Sequence, residues 1–520
     1  MLNQDLHKAY EELSNPHAVP VPESRKNLVL EIINHKRSNL ASLHYLYPYK
    51  YRESPISAPK PEPNESVCYL LNTSDTLSQP RSISPKQKLI KTQSNVSNFH
   101  LKSFEKAIKI PKHSVTRNQF PMFPNEVLKL YPDIFPPWEQ AEILNYSEIY
   151  YIGIPGSHEY KDFHTESSYK IIQKDHIAYR YEIIKIIGKG AFGEVIQAFD
   201  HYTKQDVAIK ILKRKTRNTI KGHTEIQILE YIKNADHMQK SNIVNLISHF
   251  EFRKHICLVF DLYSLNLYEV IKKNSYKGLD KEFIYTVGLQ VLQALQFLYR
   301  HHIIHCDIKP ENILLEKLDK LNIKLIDFGS ACFNNKKIHS YFQSRFYRAP
   351  EVILRIGYTH AIDIWSFGCL LAELLMGVSL FIGDSEADQL NCIMEVLGPV
   401  PLEMISASPQ KDIFFDENNE PRTKVNSYGK IRIPNSRLLR DLLRGKDEEC
   451  VKVIENCLKW DPAARISIED ALNCDFFIRK LGEITKTRKH RQISMDEITK
   501  NTPGLRRFIA RRDRNSIVDT

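Results

Sequence analysis

The stretch "HHIIHCDIKPENILL", residues 301 to 315, sets three side chains of complementary chemistry close together. The carboxylate of Asp307 suits accepting a proton from a hydroxyl and aligning the attacking oxygen. Lys309 suits neutralising an anionic group in transfer. Asn312, five residues after Asp307, offers a carboxamide oxygen to a metal ion from the same loop. Asp327, first residue of "DFG" (327–329), adds a carboxylate of the kind that holds Mg²⁺ against phosphates. Upstream, "GKGAFGEV" (188–195) fits GxGxxGxV, in which glycines let a hairpin turn lie over phosphates with its N–H groups unobstructed. "VAIK" (207–210) follows, so that Lys210 would reach the α- and β-phosphates and Glu225 would orient it as an ion pair. Each fragment alone is common by chance; all of them, in this order and spacing, imply transfer of a phosphoryl group from ATP to a hydroxyl.

These residues need elements to hold them. From Tyr181 the pattern alternates: "YEIIKIIGKG", "EVIQAFD" and "DVAIKIL" predict three successive antiparallel strands. "HTEIQILEYIKNA" has helical spacing, and "NIVNLISHF" and "HICLVFDL" return to strand. After about residue 264 the chain turns mainly helical, with apolar residues three and four apart in "FIYTVGLQVLQALQFLYRHH". The fold class is therefore α+β: a small antiparallel β-sheet lobe, a larger helical lobe and a site between them.

The domain organisation follows from texture. Residues 1–115 are expected to be mostly disordered, because Ser/Pro-rich segments such as "YRESPISAPKPEPNES" and "LSQPRSISPKQK" bury too little apolar surface to fold. A polar helix is expected around "LHKAYEEL". Residues 116–180 are dense in aromatics and should dock on the domain that follows, 181–477. A basic tail, 478–520, closes the chain, with 12 Lys/Arg against 5 Asp/Glu from Arg479 onward.

Composition excludes several classes. The chain has 520 residues, 42% of them hydrophobic and 26% charged, as in a soluble globular protein. Nine cysteines without a CxxC pair argue against a zinc ribbon or a disulfide scaffold, and fit a reducing compartment. The N-terminus has no apolar stretch behind a basic start, so no signal peptide is expected. The most apolar run, "WSFGCLLAELLMGVSLFIG" (365–383), contains Glu373 and reads as a buried helix rather than a membrane span. The net charge of +11 lies largely in the tail, which is either simply solvated, or touches nucleic acid, an anionic membrane or an acidic partner, or addresses the nucleus. Cytoplasm is the expected location, with the nucleus left open, and no DNA or RNA partner is expected.

From about 120 to 480 the chain resembles a protein kinase of the DYRK family, within the CMGC group. The resemblance is carried by "HCDIKPENILL", "LIDFGSAC", "YFQSRFYRAPEVIL" and "IDIWSFGCLLAELL". "DHIAYRYEIIKIIGKGAFGEV" resembles the family's homology box running into its glycine loop, and "EILNYSEIYYIG" resembles the N-terminal accessory region of its class II members. This implies a bilobal kinase fold with an accessory region packed on the small lobe. It implies dual specificity: Ser/Thr of protein substrates, and one tyrosine of its own activation loop. The matching tyrosine is Tyr341, while His339 stands where such kinases often carry a first tyrosine. Cys306 stands where kinases usually carry the arginine that holds a phosphorylated loop. Arg345 and Arg348 are the expected replacement, through charge-assisted bonds to a phosphate on Tyr341.

The same resemblance assigns the ATP site. Gly188, Lys189, Gly190, Ala191, Phe192, Gly193 and Glu194 would form the phosphate loop. Ile187, Val195 and Ala208 would sandwich adenine, with Phe260 behind it and the backbone of Asp261, Leu262 and Tyr263 along its edge. Mg²⁺ would sit on Asn312 and Asp327. Glu351 is expected to pair with Arg465, and Asp363 with the catalytic-loop backbone. Substrates are expected to carry Ser/Thr followed by proline, often with arginine at −3, received by Glu311 and Glu373, unless Glu311 serves only the ATP side of the cleft. Ser84 in "RSISP" meets that pattern and is either an autophosphorylation site or a chance match in a Ser/Pro-rich segment, and Ser494 in "RKHRQIS" suits a basophilic kinase. Cys306 and Cys332 are either a redox-sensitive pair or two small buried thiols. The catalytic unit is expected to be monomeric. The rival readings are a kinase-fold scaffold acting through partner binding, and a small-molecule kinase of the same fold.

Overall fold

The computed structural model describes residues 120–478, apart from 160–166, 191, 215, 319, 336–341 and 423–424. The expectations for the Ser/Pro-rich segment, the basic tail, Ser84, Ser494, Ala191, His339 and Tyr341 lie outside the described residues.

A six-stranded antiparallel sheet forms the smaller lobe, in the order β1-β2-β3-β4-β6-β5. Its strands are β1 (His176–Ile177), β2 (Tyr181–Lys189), β3 (Gly193–Asp200), β4 (Gln205–Leu212), β5 (Leu246–Phe252) and β6 (His255–Asp261). The alternation read in the sequence decides which face is buried: Val207, Ile209 and Ile211 of β4 point into the core with Ile196 and Val259. Their neighbours Ala208 and Lys210 are left half-exposed on the opposite face. Helix α3 (Thr216–Ala235) follows β4 and begins seven residues before the helical spacing recognised in the sequence. That first stretch is polar and carries no apolar period to mark it.

Upstream, α1 (Pro124–Leu130) and α2 (Pro137–Ile143) enclose a small core of Val127, Phe135, Ile143, Ile149 and Ile152 closed by Tyr179. The aromatic stretch thus docks on the sheet lobe, as its composition suggested. The docking is ionic as well as apolar. Arg253, at the β5–β6 turn, is buried and donates to Glu139 at 3.2 Å and Glu142 at 2.9 Å, both on α2.

The larger lobe is built on α4 (Lys281–Arg300) and α5 (Ala361–Met376). Asp280 caps α4 by accepting from the Phe283 N–H at 2.8 Å, satisfying one of the donors that a helix start leaves open. Every residue of α5 from Ile362 to Leu375 is buried, so its apolar run is spent on core contacts all round. No helix among the described residues is long and apolar enough to cross a membrane. Helices α6 (Glu386–Leu397) and α7 (Glu448–Cys457) complete this lobe's core. Between the lobes run β7 (Ile303–Ile304), β8 (Ile313–Lys317), β9 (Lys320–Leu325) and β10 (Cys332–Phe333), paired as β7–β10 and β8–β9. These short ladders carry the catalytic loop and the DFG segment.

Candidate active site

Asp307 lies in the loop between β7 and β8, and the larger lobe fixes that loop from below. The carboxylate of Asp363, on α5, accepts the N–H of His305 at 2.8 Å and of Cys306 at 3.0 Å. Burial pushes Asp363 up to about 7 despite those two bonds. Cys306 takes a left-handed backbone (φ 65°), a conformation that a non-glycine residue adopts only when its surroundings impose it. Its sulfur is buried 3.9 Å from that of Cys332, in contact but not bonded. Burial holds the Cys306 thiol well above the ordinary range, so it remains protonated.

The Asp307 carboxylate is surrounded by donors. Oδ2 accepts from Lys309 Nζ at 2.5 Å and from Asn312 Nδ2 at 3.1 Å. Oδ1 accepts from both the N–H and the hydroxyl of Ser344, at 2.9 and 2.8 Å. Burial alone would raise this carboxyl, but Lys309 and Ser344 outweigh it and hold it below its usual range. An ionised, preorientated carboxylate is what a general base for a hydroxyl requires.

Across the cleft, β4 and α3 supply a second cluster. Lys210 Nζ donates to both oxygens of Glu225, at 2.7 and 2.9 Å, and to Asp327 Oδ1 at 2.8 Å. Burial would lower the Lys210 ammonium, yet Asp327 and Glu225 together raise it. Burial would raise Asp327, and Lys210 overrides it, so that this carboxyl is held far below its ordinary value. Glu225 is the buried partner, and its desolvation wins, raising it. Gly329 leaves the room this cluster needs: a Cβ there would stand 3.3 Å from both Asp327 Oδ1 and Glu225 Oε2. Phe328 is buried edge-on against His305, 4.9 Å between ring centroids, which fixes Asp327 toward the cleft.

The expected nucleotide-lining residues share one face of the sheet. Register sets Val195 opposite Lys210 and Ala208 opposite Phe260, all on the half-exposed side. Gly188 and Lys189 end β2, Gly193 and Glu194 begin β3, and Gly190 and Phe192 lie in the turn between them, where Gly190 donates to the Gly193 carbonyl at 2.9 Å. Ile187 is 44% exposed at the end of β2, and Asp261, Leu262 and Tyr263 lead out of β6 into the larger lobe.

The substrate side departs from expectation at two residues. Glu373 is fully buried, with Oε2 accepting the hydroxyls of Tyr347 at 2.5 Å and Ser379 at 2.9 Å. A substrate arginine would reach it only after Tyr347 moved aside, so Glu373 is not an open acceptor. Arg348 is 1% exposed and already engaged: Nε donates to the Phe342 carbonyl, Nη2 to that of Gln343, and Nη1 to Glu386. It is first a structural clamp on the segment after residue 341. Arg345 reaches the carbonyls of Asp384 at 2.5 Å and Gly383 at 3.3 Å. Glu311 keeps Oε2 buried with no hydrogen-bond partner among the described residues. Glu351 and Arg465 form the expected buried pair, bidentate at 2.6 and 2.7 Å.

Two site residues escaped the sequence reading. Ser344 bonds Asp307 directly, and Gln343 beside it adopts φ 64°. Both open the stretch "QSRFYRAPE", in which neither residue type carries a chemical signal by itself.

Comparison with known proteins agrees with this geometry. The protein kinase domain model matches residues 181–477. Dual specificity tyrosine-phosphorylation-regulated kinase 2 of Drosophila melanogaster is 41% identical over 397 residues, covering 74% of this chain and 54% of the relative. Probable serine/threonine-protein kinase dyrk2 of Dictyostelium discoideum is 43% identical over 370 residues, 69% of this chain and 40% of the relative. Human dual specificity tyrosine-phosphorylation-regulated kinase 3 is 39% identical over 380 residues, 68% of this chain and 64% of the relative. The chain therefore spans about half the length of the curated relatives it matches. With its two charge clusters facing one cleft and the domain match over both lobes, the chain belongs to the protein kinase family, and within it to the DYRK kinases.

Proposed function

We propose that this chain is an active, ATP-dependent dual-specificity protein kinase that phosphorylates Ser/Thr of protein substrates and its own Tyr341. The observation that carries the reading is Lys210 held between Glu225 and Asp327. A scaffold with no chemistry to perform gains little from burying three charges, since desolvation offsets most of their attraction. Asp327 and Asn312 offer oxygen donors alone, a set that suits Mg²⁺ rather than a softer metal. Bound there, Mg²⁺ would neutralise phosphate charge. Asp307 then takes the substrate hydroxyl proton, and Lys309 balances charge on the transferred group.

The proposed preference for proline after the phosphorylated residue is supported by the backbone of Gln343. The Gln343 carbonyl is occupied by Arg348, one residue from the Ser344 group that touches Asp307. With the Gln343 carbonyl committed to Arg348, an N–H on a substrate residue beside it would have to share that acceptor, whereas proline brings no N–H to satisfy. The unpartnered, buried oxygen of Glu311 supports recognition of a basic residue at −3. For Tyr341, a phosphate would compete with Glu386 for Arg348 and add the adjacent Arg345.

The test is expression of the chain beside an Asp307→Asn control, with mass spectrometry at Tyr341 and turnover of RxxSP, RxxSA and small-molecule acceptors. We expect phosphotyrosine and RxxSP turnover in the wild type alone. Well-folded wild type without either activity would establish the scaffold instead.

A further inference from the structure

The glycine loop is tied to the helix that carries Glu225 by residues outside the charge clusters described above. Phe192, in the β2–β3 turn, sets its ring centroid 4.5 Å from the ammonium of Lys221 on α3. Lys221 stands four residues before Glu225, so the two share a helix face, and its charge acts against the burial that raises Glu225. The helix packs closely on the sheet here: a Cβ at Gly222 would lie 2.4 Å from Leu212 Cδ1, so a larger residue would have to displace that side chain. One residue beyond Leu212, Lys213 donates its N–H to the Phe192 carbonyl and its Nζ to the Gly190 carbonyl, both at 2.8 Å. The turn is thus gripped from β4 by Lys213 and from α3 by Lys221.

We infer that Lys221 is a positioning residue for the nucleotide: through Phe192 it couples closure of the glycine loop to the orientation of Glu225, and hence of Lys210. A cation over an aromatic face gains only while the ring stays in place. Displacement of the turn returns the Lys221 ammonium to water and frees its end of the helix face. Glu225 lies one turn further along and holds Lys210 through two bonds. Nucleotide that presses the turn down therefore also stabilises the ion pair that receives its phosphates.

This inference deepens the kinase reading and rests on it for turnover, but nucleotide affinity can be read without turnover. The experiment is a cycle in the full chain: Lys221→Met, Phe192→Leu, both together, and Lys221→Arg. For each, the Kd of MgATP is measured by titration, kcat and the KM for ATP by peptide turnover, and Tm by melting. We expect Lys221→Met to weaken MgATP affinity about two- to fivefold, with KM rising more than kcat falls and Tm unchanged. Lys221→Arg should restore most of the loss, and the double variant should bind no worse than Phe192→Leu alone. Wild-type affinity in Lys221→Met, effects that multiply in the double variant, or Lys221→Arg as defective as the methionine would each overturn the inference. A wild type that binds MgATP without turning it over would count against the kinase reading, while the affinity cycle still decides the role of Lys221.

Discussion

Gln343 presents its backbone carbonyl to Arg348 Nη2 at 2.7 Å from a left-handed conformation, φ 64°. Such a backbone costs a non-glycine residue about 1–3 kcal/mol, and the surrounding bonds sustain it. The Gln343 carboxamide donates to the Ile362 carbonyl and the Ser366 hydroxyl, and accepts the N–H of Ala349. The arrangement predicts that Arg348→Lys, which keeps the charge but loses the fork, will relax selection at +1. The ratio of kcat/KM for RxxSP over RxxSA peptides should fall about five- to tenfold, the worth of one hydrogen bond. A ratio that stays at the wild-type value would detach Arg348 from proline selection.

Ser344 contributes two of the bonds that orient Asp307, and its hydroxyl also accepts from Lys309 Nζ at 2.8 Å. Ser344→Ala removes the hydroxyl and leaves the N–H. Bonds to charged groups are worth about 1.5–3 kcal/mol, so kcat should fall roughly ten- to a hundredfold. The KM for ATP should hold, because the nucleotide is gripped from the other cluster. Steady-state kinetics separate the two constants, and a loss confined to KM would place Ser344 on the nucleotide side instead.

Two carboxyls held below their ordinary range give separate acid predictions. Asp307 lies below its ordinary range, so the kcat/KM profile should show no acid limb from this base between pH 8 and pH 5. In the accessory region, Asp175 is held down to about 2: burial raises it, but bonds from His158 and Ser157 and the nearby His176 prevail. A carboxyl depressed in the folded state stabilises above its unfolded value near 3.8 and loses that contribution as pH falls through the folded value. Asp175→Asn should therefore cost about 2 kcal/mol at pH 7, and the gap from wild type should close between pH 4 and pH 2. Urea unfolding across that range measures it, and a gap independent of pH would assign the loss to packing.

Much of this was legible in the chain itself, for a physical reason. Asp307, Lys309, Asn312, Asp327, Lys210 and Glu225 are constrained by chemistry to fixed types and spacings, and strand alternation gave the sheet face that presents them. What stayed hidden depends on contacts between distant segments. Nothing local to Glu373 reveals that Tyr347 covers it, and nothing in "QSRFYR" tells a phosphate-binding arginine from one clamping its own backbone. The ladders β7–β10 and β8–β9 are too short for a period, and they fall within a region that otherwise reads as helical. The Lys221–Phe192 contact joins residues 29 positions apart and has no motif at all.

Arg253 offers the sharpest test of how the accessory region is held. Its guanidinium is buried between Glu139 and Glu142, and lies over the Trp138 ring at 4.9 Å. The first-order influence on Arg253 is burial, which would lower it, yet the bonds from Glu142 raise it, so it stays charged. Arg253→Met keeps the apolar stem but removes the guanidinium from buried Glu139, leaving it the Gly156 N–H and His176. Removing one partner of a buried pair costs about 3–5 kcal/mol, and here the loss should fall first on the α2 contact. We expect the emission of Trp138 to shift toward that of a solvated indole before global unfolding, a signal absent when Trp138→Phe is added. Emission and unfolding curves that overlay those of the wild type would mean that apolar packing around Tyr179 alone holds the region in place.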